Sequence, residues 1–225
     1  MKVPFLDLPR DDLVALQAEV EAWDADAVPV IANLSPFLTP HEGVHRVIRL
    51  YLLGVISARL GDVDDAMAYA IELETLDRSA EERALAVGLS QAVRLHAGRS
   101  TDTPEESLER IKLIQIVGAG WERNGQSGFY SRAYEYYLRA KLLNELGRYE
   151  EALICYKAVG VKSFHDIIYY AHSHLRRGEI YERLGERERA IEHYRIFVEL
   201  WEDCDDELRP QFEAARQRLA ALENA

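Results

Sequence analysis

Apolar residues recur every three or four positions over most of this chain, in stretches long enough for helices. The segment DDLVALQAEVEAWDAD places Leu13, Leu16, Val20 and Trp23 on one stripe, which predicts an amphipathic helix. At the other end, DELRPQFEAARQRLAAL spaces Leu208, Phe212, Ala215, Leu219 and Leu222 by 4, 3, 4 and 3, again one apolar stripe with a charged back. Before the first helix, VPFLDLP is extended, because its two prolines forbid a helix. After it, AVPVIANLSPFLTP is apolar but broken by Pro29, Pro36 and Pro40. Such a segment has to be covered, and it is expected to lie along the rest of the fold.

Between these ends the pattern repeats. LYLLGVISARLGDVDDAMAYA from Leu50, RAYEYYLRAKLLNELGRYEEALICY from Arg132 and SHLRRGEIYERLGERERAIEHY from Ser173 share one order of events. An apolar-periodic helix ends in Leu-Gly, a charged turn follows, and Ala66, Ala152 or Ala190 comes five residues after Gly61, Gly147 or Gly185. Ala70, Tyr156 and Tyr194 come nine residues after the same glycines. The glycine ends the first helix in a left-handed conformation. The alanine sits where two antiparallel helices cross most closely, and the aromatic fills the space toward the next hairpin. One such hairpin cannot bury its apolar face alone, so the copies must stack.

A degenerate copy, SAEERALAVGLSQAVRLHAG, opens with a capping box of Ser79 and Glu82 and ends at Gly98. Its partner helix starts with Thr103 as cap, Pro104 at the first helical position and Glu106 at the third, and Ser107 is its small crossing residue.

The pattern resembles the tetratricopeptide repeat, which has a period of about 34 residues. The resemblance runs from about Val44 to Glu202. It is strongest in the last copy, through Gly178, Tyr181, Gly185, Ala190, Tyr194 and Phe197. The third copy matches through Ala140, Gly147, Ala152 and Tyr156, and the first through Leu53, Gly54, Gly61 and Ala66. The glycine-to-glycine steps are 37, 49 and 38 residues, so the array is irregular. The resemblance implies an all-α helical-hairpin solenoid of about four hairpins, with an N-terminal helix and a C-terminal capping helix. Residues 1–43 are then the N-terminal helix and covering segment, 44–117 the first two hairpins and 130–204 the last two. Residues 205–225 form the cap, with a dimerising coiled coil as the alternative use of that helix.

The longest step holds GAGWERNGQSGF, within 118–129. No predicted strand precedes it, and it lacks the Gly-Lys-Ser/Thr ending of a phosphate loop. Phe129 stands where a nucleophile elbow needs glycine. It therefore reads as a hinge or spacer, with a ligand loop as the alternative. Trp121 reads as packed on a helix, or else as a partner anchor.

Charge narrows the partners. Thirty-nine acidic against 27 basic residues leave −12, which argues against a nucleic-acid surface. Cys155 and Cys204 are too few for a disulfide framework and too far apart for a metal knuckle. Nothing approaches the run of about 20 apolar residues that spans a bilayer, so no membrane role is expected and the cytoplasm is the expected location. FHDIIYYAHSHLRRGE brings His165, His172 and Glu179 into one row, but the row is about 21 Å long at 1.5 Å per residue and cannot close on one ion. These residues read as the solvated or groove-facing side of a repeat helix, and no cofactor or metal is expected. No zincin motif, Cys–His pair or dinucleotide fingerprint appears, and no enzymatic role is expected.

In the resembled family the first helix of each hairpin lines a concave face that binds extended peptides. Carried over, this implies an apolar half from Tyr51, Leu52, Val55, Gly88, Leu89 and Ala92. The polar half is Tyr134, Tyr137, Lys141 and Asn144, then His172, Arg176, Glu179 and Arg183. The chain's own N-terminal segment is expected to cover the apolar half, the alternative being that those residues pack between hairpins. RLYLLGVISARLGD, YYLRAKLLNELGRYEEAL and HLRRGEIYERLGERERAIEHYRIFVELWEDCDDEL also resemble the C-terminal repeat region of large bacterial signalling proteins, where such repeats follow a Ser/Thr kinase or transcription-regulator domain. The expected role is a scaffold that binds a protein or peptide, the alternative being a ligand-sensing regulatory domain of such a signalling protein.

Overall fold

A computed structural model describes residues 8–26, 44–77, 80–115, 133–160 and 164–224. The proline-broken segment, the glycine-rich stretch with Trp121, the Ser79–Glu82 cap and the His165 side chain lie outside what it describes. Among the described residues every regular element is helical. The fold is an all-α arrangement of helical hairpins, divided into two compact units over Leu8–Gly125 and Gln126–Ala225.

The first unit holds α1 (Arg10–Ala22), α2 (Val44–Leu60), α3 (Val63–Thr75), α4 (Ala80–Gly98) and α5 (Pro104–Leu113). Helices α2 and α3 form one hairpin, α4 packs on both, and α5 pairs with α4. Leu53, Ile56, Leu73, Leu85 and Leu89 fill the space between them. Tyr51, Leu52, Val55 and Ala92 are also interior. Helix α1 lies antiparallel along α2, burying Leu13 and Val20. Arg10 donates to the Leu60 carbonyl at 2.8 Å, and Arg49 donates to the carbonyls of Val20 and Glu21. A buried-side clamp joins α3 to α4: Glu74 accepts from Ser90 at 2.6 Å and from two Arg94 nitrogens at 3.1 and 3.0 Å. The hydrogen bonds from Arg94 hold the Glu74 carboxyl below its ordinary pKa.

The second unit holds α6 (Ala133–Glu145), α7 (Tyr149–Lys157), a short 3-10 helix (Phe164–Tyr169), α8 (Tyr170–Arg183), α9 (Arg187–Leu200) and α10 (Arg209–Glu223). Each α-helix packs on the next in order. The stripe of α10 closes the stack: Phe212, Ala215 and Leu219 are buried, and the last two join Leu175, Ala190, Tyr194 and Phe197 in one core. Three arginines tie its polar side down. Arg187 donates to the Leu222 carbonyl at 2.8 Å, Arg195 pairs with Glu223 at 2.7 Å, and Arg218 pairs with Glu182. The C-terminal stripe is thus used within the chain.

The turn glycines show why three hairpins share one sequence. Gly61, Gly147 and Gly185 have φ of 89°, 71° and 74°. In each, the following amide reaches back to a carbonyl five residues earlier: Asp62 to Ser57, Arg148 to Leu143 and Glu186 to Tyr181, at 2.8–2.9 Å. This left-handed ending satisfies carbonyls that the helix would leave bare. Ala66, Ala152 and Ala190 then lie fully buried at the helix crossings. The degenerate copy ends otherwise. Gly98 is still helical, and its carbonyl accepts from Asp102 at 2.7 Å while Asp102 pairs with Arg110.

The Thr103 cap is complete. Its hydroxyl accepts from the Glu106 amide at 3.2 Å, and the Glu106 carboxylate accepts from the Thr103 amide at 2.8 Å. Thr103→Ala is expected to cost about 1 kcal/mol, seen as faster amide exchange in the first turn of α5. Exchange there as slow as in the parent would rule the cap out as a stabiliser.

Candidate protein-binding face

Tyr134, Tyr137, Lys141 and Asn144 follow a 3-4-3 spacing on α6, and His172, Arg176, Glu179 and Arg183 follow 4-3-4 on α8. Each set is therefore one stripe, and the two stripes meet through Tyr137 and His172. Burial sorts the eight residues. Tyr137 and His172 are each 1% exposed and Tyr134 is 9% exposed. Lys141, Asn144, Arg176 and Glu179 are part-buried, and Arg183 is exposed.

His172 sits at the centre of a hydrogen-bonded chain across α6, α8 and α10. Its Nε2 lies 2.9 Å from Gln211 Oε1, and its Nδ1 faces the Tyr137 hydroxyl. An amide oxygen only accepts, so Nε2–H donates to it, and Nδ1 then accepts from the Tyr137 O–H. Both demands are met by neutral imidazole. Burial, then the charges of Arg176 and Lys141, push its pKa down to about 3. Burial raises Tyr137 to about 12, so its hydroxyl keeps its proton. Tyr169 stacks on the Tyr137 ring at 5.1 Å, and Trp201 lies 5.9 Å from the imidazole.

For His172 this corrects the expectation of a solvated or groove-facing side. His172 and His174 are both buried and look in different directions. His174 meets His193 of α9, Nδ1 to Nδ1, at 3.1 Å, with Tyr181 stacked on His193 at 5.4 Å. A neutral imidazole with one donor and one acceptor can be satisfied inside a protein without the desolvation cost of a charged side chain, which suits these residues to the interior. Among the described residues no group of three or more His, Cys, Asp or Glu side chains is placed to hold a metal.

Above this interior layer the stripe turns polar. Arg176 Nη1 donates to both Glu179 oxygens at 3.0 and 2.8 Å. Lys141 lies 3.8 Å from Glu145. Asn144 Oδ1 is shielded and has no hydrogen-bond partner among the described residues. Gln211, the third member of the buried chain, was not legible as a site residue, because α10 shows only its apolar stripe in sequence.

The geometry defines a helical-hairpin repeat protein in which a supported polar stripe runs over α6 and α8. Residues 136–159 and 171–200 match the family model of the tetratricopeptide repeat. The two matched stretches cover α6–α7 and α8–α9, so the chain carries repeats similar to that family in its second unit. No curated protein and no solved structure matches the chain. Among the described residues no helix is long and apolar enough to cross a membrane.

Proposed function

We propose that the chain is a protein–protein interaction module that binds an extended peptide or protein segment along the polar stripe of α6 and α8, without catalysis of its own. Repeats of this family generally mediate protein–protein contacts, and the stripe carries the reading further. The observation that supports it best is the row of charged groups that α6 and α8 carry above their buried tier. Arg176 and Glu179 are locked to each other, and Lys141 and Arg183 extend the charged row along the same two helices. Tyr137 and His172 act beneath them, holding α6 and α8 in register.

The test compares immobilised parent protein with a Lys141→Ala/Asn144→Ala/Arg183→Ala variant in capture from native lysate. These side chains are not core residues, so the variant is expected to fold as the parent does. At least one partner retained by the parent should be lost by the variant. An identical retained set would reject the stripe as the binding face. The same face serves equally in a free-standing adaptor and in the regulatory region of a larger signalling chain, and an immunoblot of native cells for the mass of the protein separates these.

A further inference from the structure

Between the end of α9 and the start of α10 the chain turns past the 3-10 helix and borders an open surface cavity of about 420 Å³. That volume suits one or two side chains of a ligand. Its apolar wall is Ile168, Leu200 and Trp201. Ile168 is 49% exposed and Leu200 51%, so this wall is left facing water by the second unit's own packing. Trp201 is anchored from behind by Phe197 at 4.7 Å and His172 at 5.9 Å, which fixes the plane of the indole at the cavity.

The rim has one sign. Glu202, Asp203 and Asp205 line the cavity, and the carbonyl end of α9 adds partial negative charge. The neighbouring cation, Arg209, does not neutralise them. It donates to the backbone carbonyls of Glu202 at 3.1 Å and Cys204 at 2.9 Å and lies over the Phe212 ring. Among the described residues the ion pairs of this unit engage Glu145, Glu151, Glu179, Glu182, Glu186, Glu213 and Glu223 instead.

We propose that this cavity is a second docking site, specific for an arginine flanked by an apolar residue in a partner peptide. A guanidinium is planar and weakly hydrated, so it can lie against the Trp201 indole while its fork of N–H groups meets the carboxylates. The flanking apolar residue covers Ile168 and Leu200. A bare metal ion would satisfy the carboxylates and leave that wall in water, whereas an aliphatic segment would leave the carboxylates unmatched. Trp201 shares His172 with the buried tier of the α6–α8 stripe, but the proposal does not rest on the stripe's accessible residues.

The test is isothermal titration of the full chain with acetyl-Leu-Arg-Leu-Arg-amide and with the same peptide carrying neutral citrulline for arginine. The arginine peptide should bind at least about tenfold more tightly, as loss of charge-assisted hydrogen bonds predicts. Its affinity should fall by a similar factor in Glu202→Gln/Asp203→Asn/Asp205→Asn, whose changes are on exposed turn residues, and in about 0.5 M salt. The Lys141→Ala/Arg183→Ala variant should bind it as the parent does. Equal affinity for the two peptides, or no heat up to about 1 mM peptide, overturns the proposal. So does loss of binding in the stripe variant rather than the carboxamide variant. Calcium uptake without peptide binding would make the rim a cation site, and self-association abolished by the carboxamide variant would make a second copy the occupant. Each of those also overturns it.

Discussion

Phe197→Ala is expected to destabilise the second unit by about 3–5 kcal/mol, the range for emptying a well-packed aromatic site. Phe197 has no exposed surface and packs in one core with Leu175 of α8, Ala190 and Tyr194 of α9, and Ala215 and Leu219 of α10. It also touches Trp201 and meets the His172 ring edge-on at 6.5 Å. The void would not collapse easily. Ala190 and Ala215 are already the small residues at their crossings, and α10 is held by its arginine ties on the other side. A domain of this size has a total stability of about 5–15 kcal/mol, so the loss is a large share of it. Amide exchange in α8–α10 measured against urea should show the opening midpoint falling far more than for Ile154→Ala. Ile154 is 70% exposed, and its truncation should cost no more than about 0.5 kcal/mol. If the two variants shifted the midpoint equally, Phe197 would not be the keystone of this core.

Acid should unfold the second unit through its buried histidines. His172 is held neutral with a pKa near 3, and burial with the Arg177 charge lowers His174 as well. His193 is lowered by burial, Arg177, His174 and Arg189. In the unfolded chain each would titrate near 6.5. Below that value the unfolded state binds protons that the folded state does not, so stability falls as the pH is lowered from about 6.5 toward 4 and below. Each such histidine contributes a slope of up to about 1.4 kcal/mol per pH unit inside that window. Above about 6.5 the three contribute no slope. A thermal-midpoint series from pH 7.5 to about 4 should bend downward below 6.5, and the His172 ring resonances of the folded protein should keep their neutral positions over that range. A ring that titrates near its ordinary value would show that the Tyr137–His172–Gln211 chain does not hold the imidazole in the interior. His172→Phe is expected to flatten part of the slope while lowering stability at neutral pH, because it removes the imidazole's hydrogen bonds to Tyr137 and Gln211.

The two results concern different links of the same argument. The loss at Phe197 tests packing that the repeat pattern predicts, since its position is a signature position of the resembled family. The acid response tests a polar layer that no repeat pattern contains. The stripe on α6 and α8 belongs to both. Its spacing is readable from residue numbers alone, but its eight residues divide into a buried tier of Tyr134, Tyr137 and His172 and an accessible tier of Lys141, Asn144, Arg176, Glu179 and Arg183. A partner is expected to meet the second tier and to depend on the first only through the placement of the helices.

By itself the sequence determined the elements and their pairing. Periodicity marked the amphipathic helices, and the recurring glycine, alanine and aromatic marked where helices end and cross. Those requirements are local: only glycine takes φ near +80° without strain, and only a small residue lets two backbones approach. The Thr103 cap was legible for the same reason, because both halves of its bonding lie within one turn. What the tertiary structure decided was everything that depends on residues far apart in the chain. His172 reads as a surface residue in sequence, because nothing near it announces Tyr137 35 positions earlier or Gln211 39 positions later. The cavity at Trp201 likewise depends on how the 3-10 helix passes the end of α9. Backbone conformation is set by neighbours in sequence, whereas burial, protonation and the shape of a site are set by neighbours in space.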